Sequence, residues 1–302
     1  MAHTTSTHDS ALPVTFEEIR FRVRDGLQLY ARRYPATPSP RAKPVLCLPG
    51  LTRNSKDFDA LARYLANDTS GPRDVYTLDF RGRGQSDWDD NWKNYSVLLE
   101  ALDVVDFCTL MGLHKVNIVG TSRGGLVTMV LAAMQPGLIG TTVLNDIGPV
   151  LEADGFMRIA SYVGKTMLPT DWNDAAAKSK AGNAAQFPDL SDADWQRFAR
   201  QLFNEKNGKP TAGYDPKLGN AFSVLDGGMP PIWPQYKGLT NAPMLILRGE
   251  LSDLLAAETT EEMCRRHAAA EAYTVPREGH APLLWDEATQ RRISQFLQHT
   301  SY

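Results

Sequence analysis

Short strand-like runs alternate with amphipathic stretches along most of this chain, and that alternation restricts its fold more than any other feature. The runs "PVLCL", "DVYTLDF", "VNIVG" and "PMLILRG" are too short for buried helices. Segments of this kind fit the middle of a parallel sheet that is covered on both faces. Between them, "SKDFDALARYLAN" sets Phe58, Leu61 and Leu65 on one helical stripe, and "SVLLEALDVVDFCTLMG" and "GGLVTMVLAAM" continue the strand and helix rhythm. Two strands, "FEEIRFRV" and "LQLYARRY", precede the series around a turn at Asp25 and Gly26. The strand "GTTVLNDI", the helix "TTEEMCRRH", the strand "AEAYTV" and the helix "EATQRRISQFLQ" extend it. The expected class is α/β, with a mostly parallel central sheet and helices on both faces.

One region breaks the rhythm. From 151 to 240 there is no convincing strand, only helix-like segments and turns, and this part is expected to be a helical cap inserted into a core formed by 14–150 and 241–302. Within it Phe156, Ile159 and Val163 form one stripe, Trp195, Phe198 and Leu202 another, and Ser191 is placed to cap the second helix. Residues 1–13 are polar and patternless and are expected to be a loose tail.

Composition excludes several classes of function. Hydrophobic residues are 42% and charged residues 22%, ordinary globular usage, and the net charge of -3 is spread without a basic block. That leaves no electrostatic footprint for nucleic acid or an anionic membrane, and the expected partner is a small molecule. No apolar run reaches the length of a signal peptide or a membrane span, so a cytoplasmic location is expected. The sequons at Asn67 and Asn94 then carry no meaning, and Cys47, Cys108 and Cys264, an odd number without close spacing inside apolar strand or helix patterns, are expected to be buried thiols. "GRGQSD" lacks the third glycine of a dinucleotide fingerprint and "GTSRGG" lacks the lysine of a phosphate loop, so no nucleotide is implied.

Ser122 is the chemical focus. It directly follows the strand Val116 to Val119, at the carboxyl edge where parallel sheets meet ligands, and a helix pattern starts just after it. A turn sharp enough to expose its hydroxyl brings strand and helix close together, and Gly120 and Gly124 remove the side chains that would collide. A serine hydroxyl is a weak nucleophile and needs a base. Of six histidines, His3 and His8 lie in the tail, while His114, His267 and His299 lie away from that edge. His280 in "REGHAPLLW" follows the strand "AEAYTV" at the edge where Ser122 emerges. The base needs an orienting carboxylate. Asp253, in "LRGELSD", is favoured for its reach; Asp146 after "TTVLN" and Glu250 compete, and Asp79 is expected to hold its own turn together.

Two backbone donors are expected for an oxyanion, the N–H of Arg123 and that of Leu51 in "PGLTRNS", where Gly50 permits close approach. The Arg123 side chain is expected either to pair with an acid such as Asp146 or, with Arg53, to hold a substrate carboxylate. The aromatics Phe156, Trp172, Trp195 and Trp233 are candidate substrate contacts, though packing explains them equally well.

Together "GTSRGG", "DFRGRGQSD", "LRGELSD" and "EGHAP" make the chain resemble α/β-hydrolase fold enzymes with a helical cap, from about Phe16 to the C-terminus. The resemblance implies a nucleophile at Ser122, an acid at Asp253, a base at His280, and a substrate cavity between cap and core. Relatives with an aspartate nucleophile open epoxides or displace halides, and Ser122 argues against both. This chain departs from the family in carrying Pro49 and Gly50 where His-Gly is common. The expected activity is hydrolysis of a small to medium carboxylic ester or lactone through an acyl-enzyme, with no metal and no organic cofactor. Hydrolysis of a carbon-carbon bond in a diketone-like ring-cleavage product, and ligand sensing with slow turnover, are the alternatives.

Overall fold

The computed structural model describes residues 15–37, 40, 42–165, 167–224 and 229–300. The expected tail, 1–13, lies outside the described residues. The strands are β1 (Glu17–Arg22), β2 (Gln28–Tyr34), β3 (Val45–Leu48), β4 (Val75–Asp79), β5 (Val116–Thr121), β6 (Ile139–Asn145), β7 (Asn204–Lys206), β8 (Lys209–Thr211), β9 (Met244–Gly249) and β10 (Ala270–Val275). The helices are α1 (Asp59–Asn67), α2 (Val97–Leu110), α3 (Arg123–Met134), α4 (Ala153–Tyr162), α5 (Trp172–Asn183), α6 (Asp192–Leu202), α7 (Trp233–Gly238), α8 (Ala257–Arg266) and α9 (Glu287–Thr300).

Among the described residues, eight strands form one sheet in the order β1-β2-β4-β3-β5-β6-β9-β10. All pairs from β4 to β10 are parallel, and β2 runs antiparallel to both β1 and β4. The antiparallel start follows from the tight turn at Asp25 and Gly26, where Gly26 takes φ 89. β3 and β5 lie side by side although β4 separates them in sequence, so the strand order reverses between them. In open α/β sheets the crevice at such a reversal receives the ligand.

Alternation along each central strand divides the core. Leu46 and Leu48 of β3 point to one face, where Val104 and Phe107 of α2 and Val127 and Leu131 of α3 pack. Val45 and Cys47 point to the other, onto Leu61 and Leu65 of α1 and Ile293 and Phe296 of α9. Cys47 and Cys108 are buried free thiols, and Cys264 is partly buried. No described helix is long and apolar enough to cross a membrane.

The stretch between β6 and β9 contains α4 to α7, and α5 and α6 have their own apolar cluster of Phe187, Trp195, Phe198 and Phe203. Ser191 caps α6 as expected, its Oγ accepting from the Asp194 N–H at 3.2 Å. The expectation of a strand-free insertion is corrected by the hairpin β7–β8. Its turn is Asn207-Gly208, both with positive φ (54 and 75), a two-residue hairpin signal that three-residue strands without alternating apolar positions obscured.

The turn after β4 ties neighbouring loops together. Buried Asp79 accepts the N–H of Ser55 at 2.6 Å and that of Gln85 at 2.8 Å, which is the turn-holding role expected of it. Gly84 sits at φ +57, and a Cβ there would lie 2.0 Å from the Asp79 carboxylate. Arg81, fully buried, donates to both oxygens of the equally buried Asp103 at 2.8 and 2.7 Å. Asp25 and Asp89 share its remaining contacts. Removing Asp103 strips the buried Nε and Nη2 of Arg81 of their acceptors and leaves only Asp25 and Asp89 on Nη1, so Asp103→Ala should cost about 2–3 kcal/mol of unfolding free energy. An unchanged urea midpoint in that variant would contradict this.

Candidate active site

Ser122 occupies the sharp step between β5 and α3. Its φ of 49 and ψ of -113 are unfavourable for a side chain with a Cβ, so the surroundings must enforce them. A Cβ on Gly120 would meet the Gly124 carbonyl at 2.8 Å, and one on Gly124 would lie 2.1 Å from the Leu48 carbonyl oxygen. Gly125 is equally tight, 2.2 Å from Ile147. The glycine spacing around Ser122 thus permits close contact of β5, α3 and β3.

The structure brings Ser122 and His280 together. The Ser122 hydroxyl lies 2.8 Å from His280 Nε2, and His280 Nδ1 lies 2.8 Å from Asp146 Oδ2. The carboxylate on the histidine is therefore Asp146, and the expectation for Asp253 is corrected. Asp146 follows β6 at φ 56, fully buried, and also accepts the Gly249 N–H at 2.8 Å and the Ser252 hydroxyl at 2.6 Å. A group receiving donors from two other residues acts as acceptor toward His280 as well, so Nδ1 carries the proton and Nε2 is free to accept from serine. Asp253 is held elsewhere. Arg158 of α4 donates to its two oxygens at 2.5 and 2.8 Å. Burial pushes the Asp253 carboxyl up, but the hydrogen bonds and charge of Arg158 outweigh this and keep it below the ordinary carboxylate value. Glu250, the third candidate, accepts the Arg277 N–H.

The loop carrying His280 is fixed from three sides. Buried Asn145, at the end of β6, donates to the Pro282 carbonyl at 2.9 Å. Gln186 of the insertion accepts the His280 N–H at 2.8 Å, and its carbonyl accepts the Gly279 N–H at 2.7 Å. Glu278 accepts the Leu283 N–H at 2.7 Å across the loop. Neither Gln186 nor Asn145 carried a sequence signal, because each acts on a loop distant in the chain.

A cavity of about 510 Å³ opens over Ser122 and His280. Gly50, Leu51 and Arg53 line it, as expected of the loop after β3. A Cβ on Gly50 would be 3.8 Å from that of Ser122, so the loop runs against the serine. Arg53 is not free to hold a substrate carboxylate alone, since it donates to both oxygens of Asp57 at 2.7 Å and stacks over Phe198. Arg123 pairs with neither Asp146 nor a ligand position. Its Nε donates to Glu100 at 2.7 Å and its Nη2 to the Tyr95 carbonyl at 3.0 Å.

The four candidate aromatics do not line the cavity. Phe156 belongs to the main core, Trp195 to the cluster of the insertion, and Trp233 packs on the core beneath Arg266. Trp172 donates its indole N–H to the Gly208 carbonyl and borders a separate cleft. The apolar walls come instead from Phe187, Phe198, Phe203 and Leu283, with Tyr162 and Tyr214 among the polar lining. Helical stripes revealed which aromatics are buried, but not which side of the insertion faces the serine.

Glu278 gives the His280 loop a pH dependence. Burial pushes its carboxyl from the ordinary 4.5 up to about 7, with the Leu283 N–H opposing and Asp286 reinforcing. The folded protein therefore holds this proton more tightly than the unfolded chain. The associated stabilisation is complete below pH 4.5 and is lost as pH rises through about 7. Glu278→Gln keeps an acceptor for Leu283 and cannot ionise. It should exceed the parent protein in stability by about 1–3 kcal/mol at pH 8 and match it more closely at pH 5. Urea unfolding at the two pH values checks this, and a gap of equal size at both would contradict it.

Comparison with known proteins agrees with this architecture. The alpha/beta hydrolase fold model matches residues 43–287. A 3-hydroxybutyrate-oligomer hydrolase from Cupriavidus necator is 30% identical over 263 residues, covering 83% of this chain and 87% of that protein. A solved α/β hydrolase from Novosphingobium aromaticivorans is 36% identical and superposes with a TM-score of 0.85, covering 94% of this chain and 98% of its own. E-2-(acetamidomethylene)succinate hydrolase, 22% identical with a TM-score of 0.77, shares the fold over 94% of this chain and 100% of its own. The strand order, the elbow at Ser122 and these matches together place the chain in the α/β hydrolase fold family.

Proposed function

We propose that this protein is a serine hydrolase that cleaves a small to medium carboxylic ester through an acyl-enzyme, and that residues 151–240 serve as its cap. The observation that carries the reading is the continuous hydrogen-bonded chain from Ser122 through His280 to Asp146, at 2.8 Å for each step, on the floor of a mainly apolar cavity. The similarity to a 3-hydroxybutyrate-oligomer hydrolase supports ester chemistry and suggests esters of short hydroxy acids as first substrates.

In this mechanism Ser122 Oγ bonds to the ester carbonyl carbon while its proton moves to His280 Nε2. Asp146 accepts from Nδ1, fixing the tautomer and stabilising the imidazolium that forms. The carbonyl oxygen, now negative, is received by the N–H groups of Leu51 and Arg123. Arg123 opens α3, so its N–H has no carbonyl partner within the helix and lies at the positive end of the dipole. Collapse breaks the bond to the leaving oxygen, which takes the proton from His280. Water then adds to the acyl carbon as His280 removes its proton, and collapse breaks the bond to Ser122 Oγ, which takes the proton back from His280 as the acid leaves. The same steps open a lactone, whose alcohol stays attached to the acid. No residue here requires a metal or an organic cofactor for these steps.

Nitrophenyl esters of graded acyl length, together with a 3-hydroxybutyrate dimer ester, test the reading. Turnover is expected on short acyl chains and should be absent in Ser122→Ala. Asp146→Asn should lower kcat by about 10³- to 10⁴-fold through loss of the correct tautomer. Asp253→Asn removes only a partly exposed pair and should change kcat by less than about tenfold. An active Ser122→Ala, or a larger loss at Asp253 than at Asp146, would overturn the assignment.

A further inference from the structure

We infer that Glu100, a buried residue of α2 outside the cavity, positions both oxyanion donors by holding Arg83 and Arg123 between its two carboxylate oxygens. The inference rests on the serine hydrolase reading and adds to it a residue that touches no substrate. Glu100 and Arg83 are fully buried, and Arg123 is nearly so. Arg123 Nε donates to Glu100 Oε2 at 2.7 Å. Arg83 Nη1 lies 2.9 Å from Glu100 Oε1, a close ion contact whose direction is off that of an aligned hydrogen bond. Burial pushes the Glu100 carboxyl up, and the charges of Arg123 and Arg83 pull it below its ordinary value, so it is an anion between two cations.

Each cation then reaches one side of the oxyanion site. Arg83 Nε donates to the Leu51 carbonyl at 2.8 Å, which fixes the loop carrying the first N–H. Its Nη1 donates to the Arg81 carbonyl at 2.6 Å, which holds the guanidinium in place within the turn after β4. Arg123 is the first residue of α3, and its Nη2 donates to the Tyr95 carbonyl at 3.0 Å, just before α2. The side chain of Arg123 thus ties the helix start that supplies the second N–H to the same element as Glu100. The separation of the two donors is set through one carboxylate. An oxyanion forms only in the transition state, so a loosened pair of donors weakens transition-state binding far more than substrate binding.

The arrangement also explains why an arginine follows the serine. A charged side chain beside the elbow would perturb the developing charges if left unpaired. Here Glu100 neutralises it, and its length spans from α3 to α2. Glu100 itself would be costly to bury without both partners.

The test compares Glu100→Gln and Arg123→Met with the parent enzyme on an ester the parent cleaves, with active sites counted by a phosphonate. Expected are a kcat per active site lowered by about 10- to 100-fold, a KM within about threefold, and affinity for benzeneboronic acid weakened in step with kcat. Affinity for the product acid should change little. A purely structural role would lower the number of active sites or the melting temperature and leave kcat per site and boronate affinity intact, and that result would overturn the inference. Should Glu100→Gln fail to fold, Arg123→Met decides alone, because it removes one cation, keeps an apolar side chain of similar length and leaves the Arg83 contact with Glu100 in place. A parent protein that cleaves no ester would refute the hydrolase reading. Titration with the boronate would still compare the donors, and equal affinity in parent and variant would refute this inference separately.

Discussion

The backbone of Ser122 lies in a region that a serine enters only under constraint, and the rest of the site depends on keeping it there. Three glycines allow the constraint. With a Cβ at Gly120, Gly124 or Gly125, β5, α3, β3 and Ile147 could not approach as closely as they do. The reversal of strand order between β3 and β5 brings the loop after β3 alongside the serine. Local strain at one residue is therefore held by packing across several strands, and the hydroxyl is presented at the edge of the sheet.

Charged groups around the cavity are largely neutralised in pairs. Arg53 is tied to Asp57, Arg158 to Asp253, and Arg123 with Arg83 to Glu100. Within a mainly apolar enclosure, the hydrogen bond between Ser122 and His280 therefore meets little competing charge. Interactions of that kind gain strength where water is excluded. The insertion contributes to this order directly, through Gln186 on the His280 backbone and Arg158 on Asp253. Part of the stretch between β6 and β9 therefore both lines the cavity and holds the His280 backbone.

Much of the architecture was legible because periodicity and burial act locally. The central strands are short and buried along their length, and α1 shows a single apolar stripe, while α3 is buried over most of its surface. The hairpin at Asn207-Gly208 escaped because its strands are three residues long and half exposed, so neither length nor alternation marked them. Phe156, Trp172, Trp195 and Trp233, the four candidate contacts, lie away from the cavity, whereas Phe198, of the stripe expected to pack, lines it. A helical stripe identifies a buried face without saying whether it meets core, insertion or cavity.

By itself the sequence determined the alternating α/β plan, the elbow at Ser122 and the loop that delivers His280, since each is written in contiguous residues whose spacing has a steric or hydrogen-bonding cause. The tertiary structure alone decided which carboxylate meets the histidine. Asp146 and Asp253 follow adjacent strands, β6 and β9, and both are within plausible reach along the chain. The choice was made by partners remote in sequence: Gly249 and Ser252 donate to Asp146, while Arg158 of α4 captures Asp253. Competition among side chains for charge and hydrogen bonds is settled by three-dimensional proximity, and linear spacing carries no record of it.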